Sequence, residues 1–438
     1  MLQLARTVSD MSTMTQALSP AHATRYTSRH TGPASRPGLV SARFAAALLA
    51  SFGALTSFYL LLSVTPMYAM SAGAGSAGAG LVTGSLMLTT VLAEFASPRL
   101  LGRFGYRAVF AAGALLLGGP APALLLPHSM ATIIAVSIAR GIGFGLATVV
   151  LGALVAASVP AERRGEGIGL AGVVACVPAI VALPSGVWLA QNTGYVVVIA
   201  ITAISALAPL AATPWLANPA GQQAGSSHGE AGSGHAETGS GHAETETAPV
   251  GLLSSLRSGG MLRPGLVFAA TTIAAGVVAS FLPLAAGVSA GVATLGLFAQ
   301  AVTATASRWW AGRRGDRHGH AGLLIPGLLT AAAGMASLIW VSAPVVVIAG
   351  MCLFGIGFGI AQNATFALML DRAPASGYGT ASALWNLAYD AGYGTGPIVF
   401  GVFVAHTGYP AAFALTGLLI LAALVPAVRD RRPQGTAG

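Results

Sequence analysis

Apolar residues run through this chain in stretches too long for strands and too continuous for the half-buried helices of a soluble domain. They occupy about 41–66, 78–98, 107–127, 130–157, 166–190 and 194–216, and then about 263–285, 287–307, 321–341, 343–370, 377–404 and 409–428. Each approaches the roughly 20 residues a helix needs to cross a bilayer. Barrel strands are about half that length and alternate in polarity, so helices are the spanning element. The pattern predicts an all-α membrane protein, with twelve transmembrane helices in two six-helix bundles related by a pseudo-two-fold axis. Residues 38–216 and 263–429 are read as the bundles, 217–262 as a cytoplasmic linker, and 1–37 and 430–438 as cytoplasmic tails. The first tail is polar and mixed, is expected to be disordered, and has no apolar core placed as in a signal peptide.

Composition agrees. The chain has 438 residues, 55% hydrophobic and 8% charged, against about 25% charged in a soluble domain. Its formal charge of +9 contains no Lys. The arginines cluster in alternate connections. Arg99, Arg103 and Arg107 separate spans 2 and 3, Arg163 and Arg164 separate 4 and 5, and Arg308, Arg313, Arg314 and Arg317 surround the loop between 8 and 9. Arg372 follows span 10, and Arg429, Arg431 and Arg432 follow span 12, whereas the opposite loops have no Arg. This asymmetry predicts a multi-pass protein of the cytoplasmic membrane with both termini cytoplasmic. It also accounts for the basic balance without nucleic acid. Cys176 and Cys352 lie inside apolar runs and read as packing residues, neither disulfide nor metal ligands.

The two halves repeat. Arg140-Gly-Ile-Gly-Phe-Gly-Leu-Ala recurs as Phe354-Gly-Ile-Gly-Phe-Gly-Ile-Ala, and 354 less 140 is 214. Asn192-Thr-Gly-Tyr and His406-Thr-Gly-Tyr share that offset, as do Gly105 and Gly319. An offset of six spans repeats the topology in parallel, as in transporters whose two bundles rock about a midplane site. The glycine-rich segments lack the strand–turn–helix setting of a dinucleotide site and serve close helix packing. A Walker sequence needs Lys, so no nucleotide cofactor or ATP hydrolysis is expected.

Few charges interrupt the apolar runs. Asp390 is one, near the middle of Ser376–Gly408. Ser382, Asn386, Tyr389, Asp390 and Tyr393 share a face by their spacing of three and four, and Trp385 is on the same span. A carboxylate at membrane depth is expensive and reads by default as a functional group facing a cavity. Able to exchange protons with either side in turn, it couples proton to substrate movement; the alternative is a permanent pair with Arg140 or a hydroxyl that only holds helices together. Arg140 in span 4 needs an acceptor inside the bundle, either substrate or backbone carbonyls. Tyr59 on span 1, Gln300 on span 8, and Gln362 and Asn363 on span 10 are the remaining binding candidates, although such residues individually are more often helix–helix contacts. Glu94, one turn before Pro98, reads as a gate residue pairing with a loop Arg rather than as part of the cavity. The linker's GSGHAET repeat, with His228, His235 and His242, reads either as a weak divalent-metal tract or as a plain linker, the latter preferred. No metal or cofactor is assigned.

Gly312-Arg-Arg-Gly-Asp316-Arg317-His-Gly319-His resembles the major facilitator superfamily signature G-x-x-x-D-R-x-G-R, with His320 in place of the last basic residue. Arg103-Phe-Gly105-Tyr-Arg107 matches the second half of the same signature, with Gly102 where its acid is expected and Pro98 where its first Gly is. Arg140 with the glycines after it resembles the family's span 4 motif. The resemblance covers about residues 40–430. It implies a secondary transporter working by alternating access, with Arg103, Gly105, Gly312, Asp316, Arg317 and Gly319 in gating, and with an efflux-type, actinobacterial look. The expected function is proton-coupled efflux of a small amphipathic compound, the alternative being proton-coupled movement of a sugar or organic acid. The implied partners are a small-molecule substrate, protons and the lipid bilayer, with the monomer as the working unit. An enzyme is not expected, because no nucleophile–base pair or metal cluster lies within the spans.

Overall fold

The computed structural model describes residues 41–126, 129–159, 164–216, 259–373 and 377–431. The tails and nearly all of the linker, including the His-containing repeat, lie outside the described residues. Within them the chain is helical and contains no strand.

Helix α1 spans Ala42–Ser71 and is span 1. Helix α2, Gly75–Gly118, carries spans 2 and 3. Helices α3 (Met130–Ser158), α4 (Arg164–Asn192) and α5 (Tyr195–Leu207) are spans 4 to 6, α5 continuing as a 3-10 turn to Trp215. In the second half α6 (Gly259–Phe281), α7 (Ala290–His318), α8 (Ala321–Ser337) and α9 (Pro344–Asp371) are spans 7 to 10. Helix α10, Tyr378–Ala422, carries spans 11 and 12, and α11 (Leu424–Arg431) extends span 12. Among the described residues ten helices are long and apolar enough to cross a membrane, and two of them have 51 and 52 residues. Each of these doubles reverses at one glycine, so the spans number twelve, in two bundles of six.

Those reversals explain why the repeat was visible. Gly105 breaks α2 at φ 76°, ψ 165°, and Gly408 breaks α10 at φ 76°, ψ 168°. Gly194 and Gly319 turn the chain at φ 86° and φ 82°. Side chains rarely adopt this conformation, and glycine does so without steric cost. Gly105 pairs with Gly319, and Gly194 with Gly408, at the offset of 214.

The glycine-rich segments pack as mirror copies. A Cβ on Gly143 would stand 2.7 Å from the Leu116 carbonyl carbon, and one on Gly357 would stand 2.7 Å from the Ala331 Cβ. Spans 3 and 4 therefore touch backbone to backbone, as do spans 9 and 10, through residues related by the repeat. Ser41, Ser129 and Ser289 cap α1, α3 and α7 by accepting from the backbone N–H three residues on.

Two helices run further than hydropathy predicts. Span 8 continues through the arginine cluster to His318, because Trp309, Trp310 and the arginines sustain a helix at the bilayer edge. Gly312, Asp316 and Arg317 thus lie on a helix end and not in a loop. Arg313 covers the Trp309 ring at 3.9 Å.

Candidate functional site

A cavity of about 780 Å³ lies between the two bundles. Its walls run from mid-span to Pro98, beside Arg99, so it extends toward the arginine-bearing ends. On the arginine-free side span 2 is sealed against spans 11 and 7. The Ser76 hydroxyl donates to the Gly401 carbonyl at 2.7 Å, and Thr83 and Ser280 hydroxyls meet at 3.0 Å. A Cβ on Gly80 would lie 2.8 Å from the Pro397 carbonyl carbon.

Of the residues singled out in the sequence, Asp390, Asn386, Tyr389, Tyr393 and Trp385 all line this cavity from span 11. Tyr59, Gln300 and Gln362 line it from spans 1, 8 and 10. Phe268 stacks on Trp385 at 4.4 Å between centroids, and Tyr389 stacks on Tyr393 at 5.6 Å, so the span 11 aromatics form one wall. The Trp385 indole N–H donates to the Thr365 hydroxyl at 3.2 Å, which holds the ring in place.

Glu94 also lines the cavity, where the sequence had suggested a gate contact with a loop Arg. Its carboxyl group and that of Asp390 face each other across the seam between the bundles, close enough to share a hydrogen bond. Thr148 donates to Glu94 Oε1 at 3.4 Å. A hydrogen bond between two carboxyl groups needs a proton on one of them, because ionised carboxylates only accept. Asp390 is only 7% exposed, and among the described residues neither acid forms an ion pair with an arginine. Tyr59 and Tyr389 line the cavity beside the pair.

Arg308, counted in the sequence among the loop arginines, lies on span 8 inside the cavity. Its guanidinium donates to Gln362 Oε1 at 3.3 Å and to the Cys176 sulfur at 3.0 Å. The repeat would have found it. Arg308 stands 214 positions after Glu94, Gln362 stands 214 after Thr148, and Asp390 stands 214 after Cys176. The two clusters are images of each other under the pseudo-two-fold. One, at the seam of spans 2 and 11, is acidic; the other, at the seam of spans 5 and 8, is basic.

Arg140 and Asn363 lie away from the cavity. Arg140 is 1% exposed and donates to the Leu117 and Ser57 carbonyls at 2.8 and 2.9 Å, tying spans 3 and 1 to span 4. Asn363 faces span 8, 3.3 Å from where a Cβ on Gly312 would stand. At the end of span 8, His320 Nε2 lies 3.8 Å from Asp316, and its Nδ1 lies 3.8 Å from Asp371 on span 10. Arg103 extends over Phe104 at 5.3 Å. These groups and Gly319 surround the arginine-bearing end and leave the cavity lining to others. No cluster of His, Cys, Asp and Glu suited to a metal occurs among the described residues.

Two helical bundles with repeated halves enclosing a cavity of mixed apolar and polar lining have the architecture of a membrane transporter. The Major Facilitator Superfamily profile matches residues 47–397, and the chain belongs to that family. Among curated proteins nothing matches. Solved structures similar to it include a bacterial homologue of the human lysosomal transporter Spinster, in an inward-facing and unoccupied conformation, at 14% identity and TM-score 0.69 over 90% of this chain and 96% of that one. A D-xylose-proton symporter is similar at 19% identity and TM-score 0.68, over 88% and 97%. The nucleoside transporter NupG is similar at 12% identity and TM-score 0.65, over 89% and 100%.

Proposed function

We propose that this protein is a proton-coupled secondary transporter of the cytoplasmic membrane that exports a small amphipathic compound by alternating access. The observation that carries this reading is the Glu94–Asp390 contact. Glu94 belongs to the first bundle and Asp390 to the second, and both face the cavity. With one proton between them the carboxyl groups attract; with none they repel across the seam. Proton occupancy is therefore tied to how the bundles sit against each other. A substrate group that takes the proton's place at the pair would exclude it, which is the condition for antiport.

The positive-inside asymmetry puts the arginine-bearing ends in the cytoplasm, so the cavity faces inward. Bundles 38–216 and 263–429 rock against each other, and the linker 217–262 joins them on the cytoplasmic side. Arg103, Gly105, Gly312, Asp316, Arg317, Gly319 and Asp371 act at the closing end. A second reading, proton-driven movement of a sugar, rests on the neutral polar lining of Gln300, Gln362 and Asn386; one structural neighbour is by name a D-xylose-proton symporter, although 19% identity carries the fold alone.

Proteoliposomes with an imposed pH gradient and an internal pH dye test the two readings. Collapse of the gradient by amphipathic compounds, in the direction of exchange, supports export. Collapse by sugars, with protons moving alongside, replaces it with the second reading.

A further inference from the structure

The acidic and basic clusters stand on opposite seams of one cavity, at positions related by the repeat. The basic one is built from Arg308, Gln362 and Cys176. Among the described residues Arg308 meets no carboxylate, so a full positive charge stands in a partly apolar chamber with only an amide oxygen and a sulfur as acceptors. A guanidinium presents five donors in a planar fork suited to a carboxylate. Two acceptors leave that fork unfilled, and Arg308 lines the cavity. Tyr59 lines the same cavity as both clusters. The aromatic wall of Trp385, Tyr389 and Tyr393 connects them.

We infer that the cavity takes a dipolar amphipath, with a basic nitrogen at the Glu94–Asp390 seam, a carboxylate or similar anionic group at Arg308 and Gln362, and an aromatic or apolar body against the span 11 wall. This rests on the export reading and names its substrate class. The basic end displaces the proton; the anionic end fixes orientation and discriminates among amines. Arg308 is then a specificity residue that the acid pair alone does not explain.

The test uses three probes on one aryl body: an aminoalkyl carboxylate, its methyl ester and its N-acetyl derivative. Binding to purified protein is read by quenching of tryptophan emission. The wild type is expected to bind the zwitterion at least about tenfold more tightly than either derivative, each lost charge-assisted contact counting for about that much. Arg308→Gln is expected to erase the difference between zwitterion and ester while leaving the N-acetyl form weak. Equal binding of ester and zwitterion by the wild type, equal weakening of all three probes by Arg308→Gln, or no binding of any of them overturns the inference.

A measurement with Arg308 intact guards against a misfolded variant. In a Cys352→Ser background, saturating zwitterion and N-acetyl acid should slow alkylation of Cys176 by a maleimide, and the ester should not. Equal protection by the ester also overturns the inference. Proton exchange driven by the ester without dependence on Arg308 removes this inference and leaves export standing. Protection of Cys176 without proton exchange does the reverse.

Discussion

Gly80 is the point at which alternating access can be perturbed most cleanly. It lies on span 2, in the sealed half, against the backbone of span 11 in the other bundle. A Cβ there would stand 2.8 Å from the Pro397 carbonyl carbon and 3.1 Å from the Ile398 Cα. These are backbone atoms and have no rotamer by which to retreat. The cavity-sealing contact must open, and the fold of each bundle need not change. Overpacking of this kind costs about 1–3 kcal/mol. Borne only by the arrangement sealed on this side, it shifts the equilibrium between the two arrangements by about 5- to 150-fold. Cys176 lines the cavity and reports the shift. In Cys352→Ser vesicles, Gly80→Ala should slow alkylation of Cys176 by an impermeant maleimide added on the arginine-loop side, and speed it from the other side. Gly102, with open space around it, is the control site, and Gly102→Ala should leave both rates alone. Unchanged accessibility in a folded Gly80→Ala protein would refute the assignment of this seam as the closed gate.

Further outcomes follow from the same geometry. Arg140→Gln removes charge-assisted bonds to two buried carbonyls, each such bond being worth about 1.5–3 kcal/mol; detergent-solubilised protein should melt at a clearly lower temperature while the affinity of whatever folds is kept, and the opposite pattern would place Arg140 in the binding site. Gly143→Ala and Gly357→Ala should destabilise their respective bundles by similar amounts, about 1–3 kcal/mol each, as followed by thermal unfolding; tolerance of one and not the other would break the mirror packing. Gly408→Ala meets little steric obstruction, yet its φ of 76° should cost about 1–3 kcal/mol of strain, visible as lower yield of folded protein with unaltered transport per molecule.

The fold was legible because bilayer thickness writes itself into run length, and because a six-span repeat keeps its glycines in register. Helix ends were less legible. Hydropathy stops at Ser307, whereas the backbone stays helical to His318, so hydropathy alone leaves Arg308 in a loop. Glu94 reads as a gate residue from its neighbour Pro98, whereas Asp390, the group it faces, lies 296 residues away on the other bundle. No local pattern reports that contact; only the docking of the bundles creates it. Asp390 and its stripe were legible for a physical reason, since a carboxylate in an apolar run has few tolerable places to go. Arg140 obeys the same reasoning and yet faces inward within its own bundle, because spacing along one helix cannot say which neighbour supplies the acceptors. The offset of 214 carries the missing information: applied to Glu94 it selects Arg308, and applied to Thr148 it selects Gln362.

The most direct test of the account places Glu94→Gln, Asp390→Asn and the wild type in proteoliposomes with a pH gradient and a transported amphipath. The account predicts that each substitution abolishes proton movement while substrate still exchanges down its own gradient, since an amide in place of either carboxyl keeps a fixed donor at the contact and removes the proton that must come and go, leaving the cavity in place. Full proton-coupled transport by either variant would contradict it.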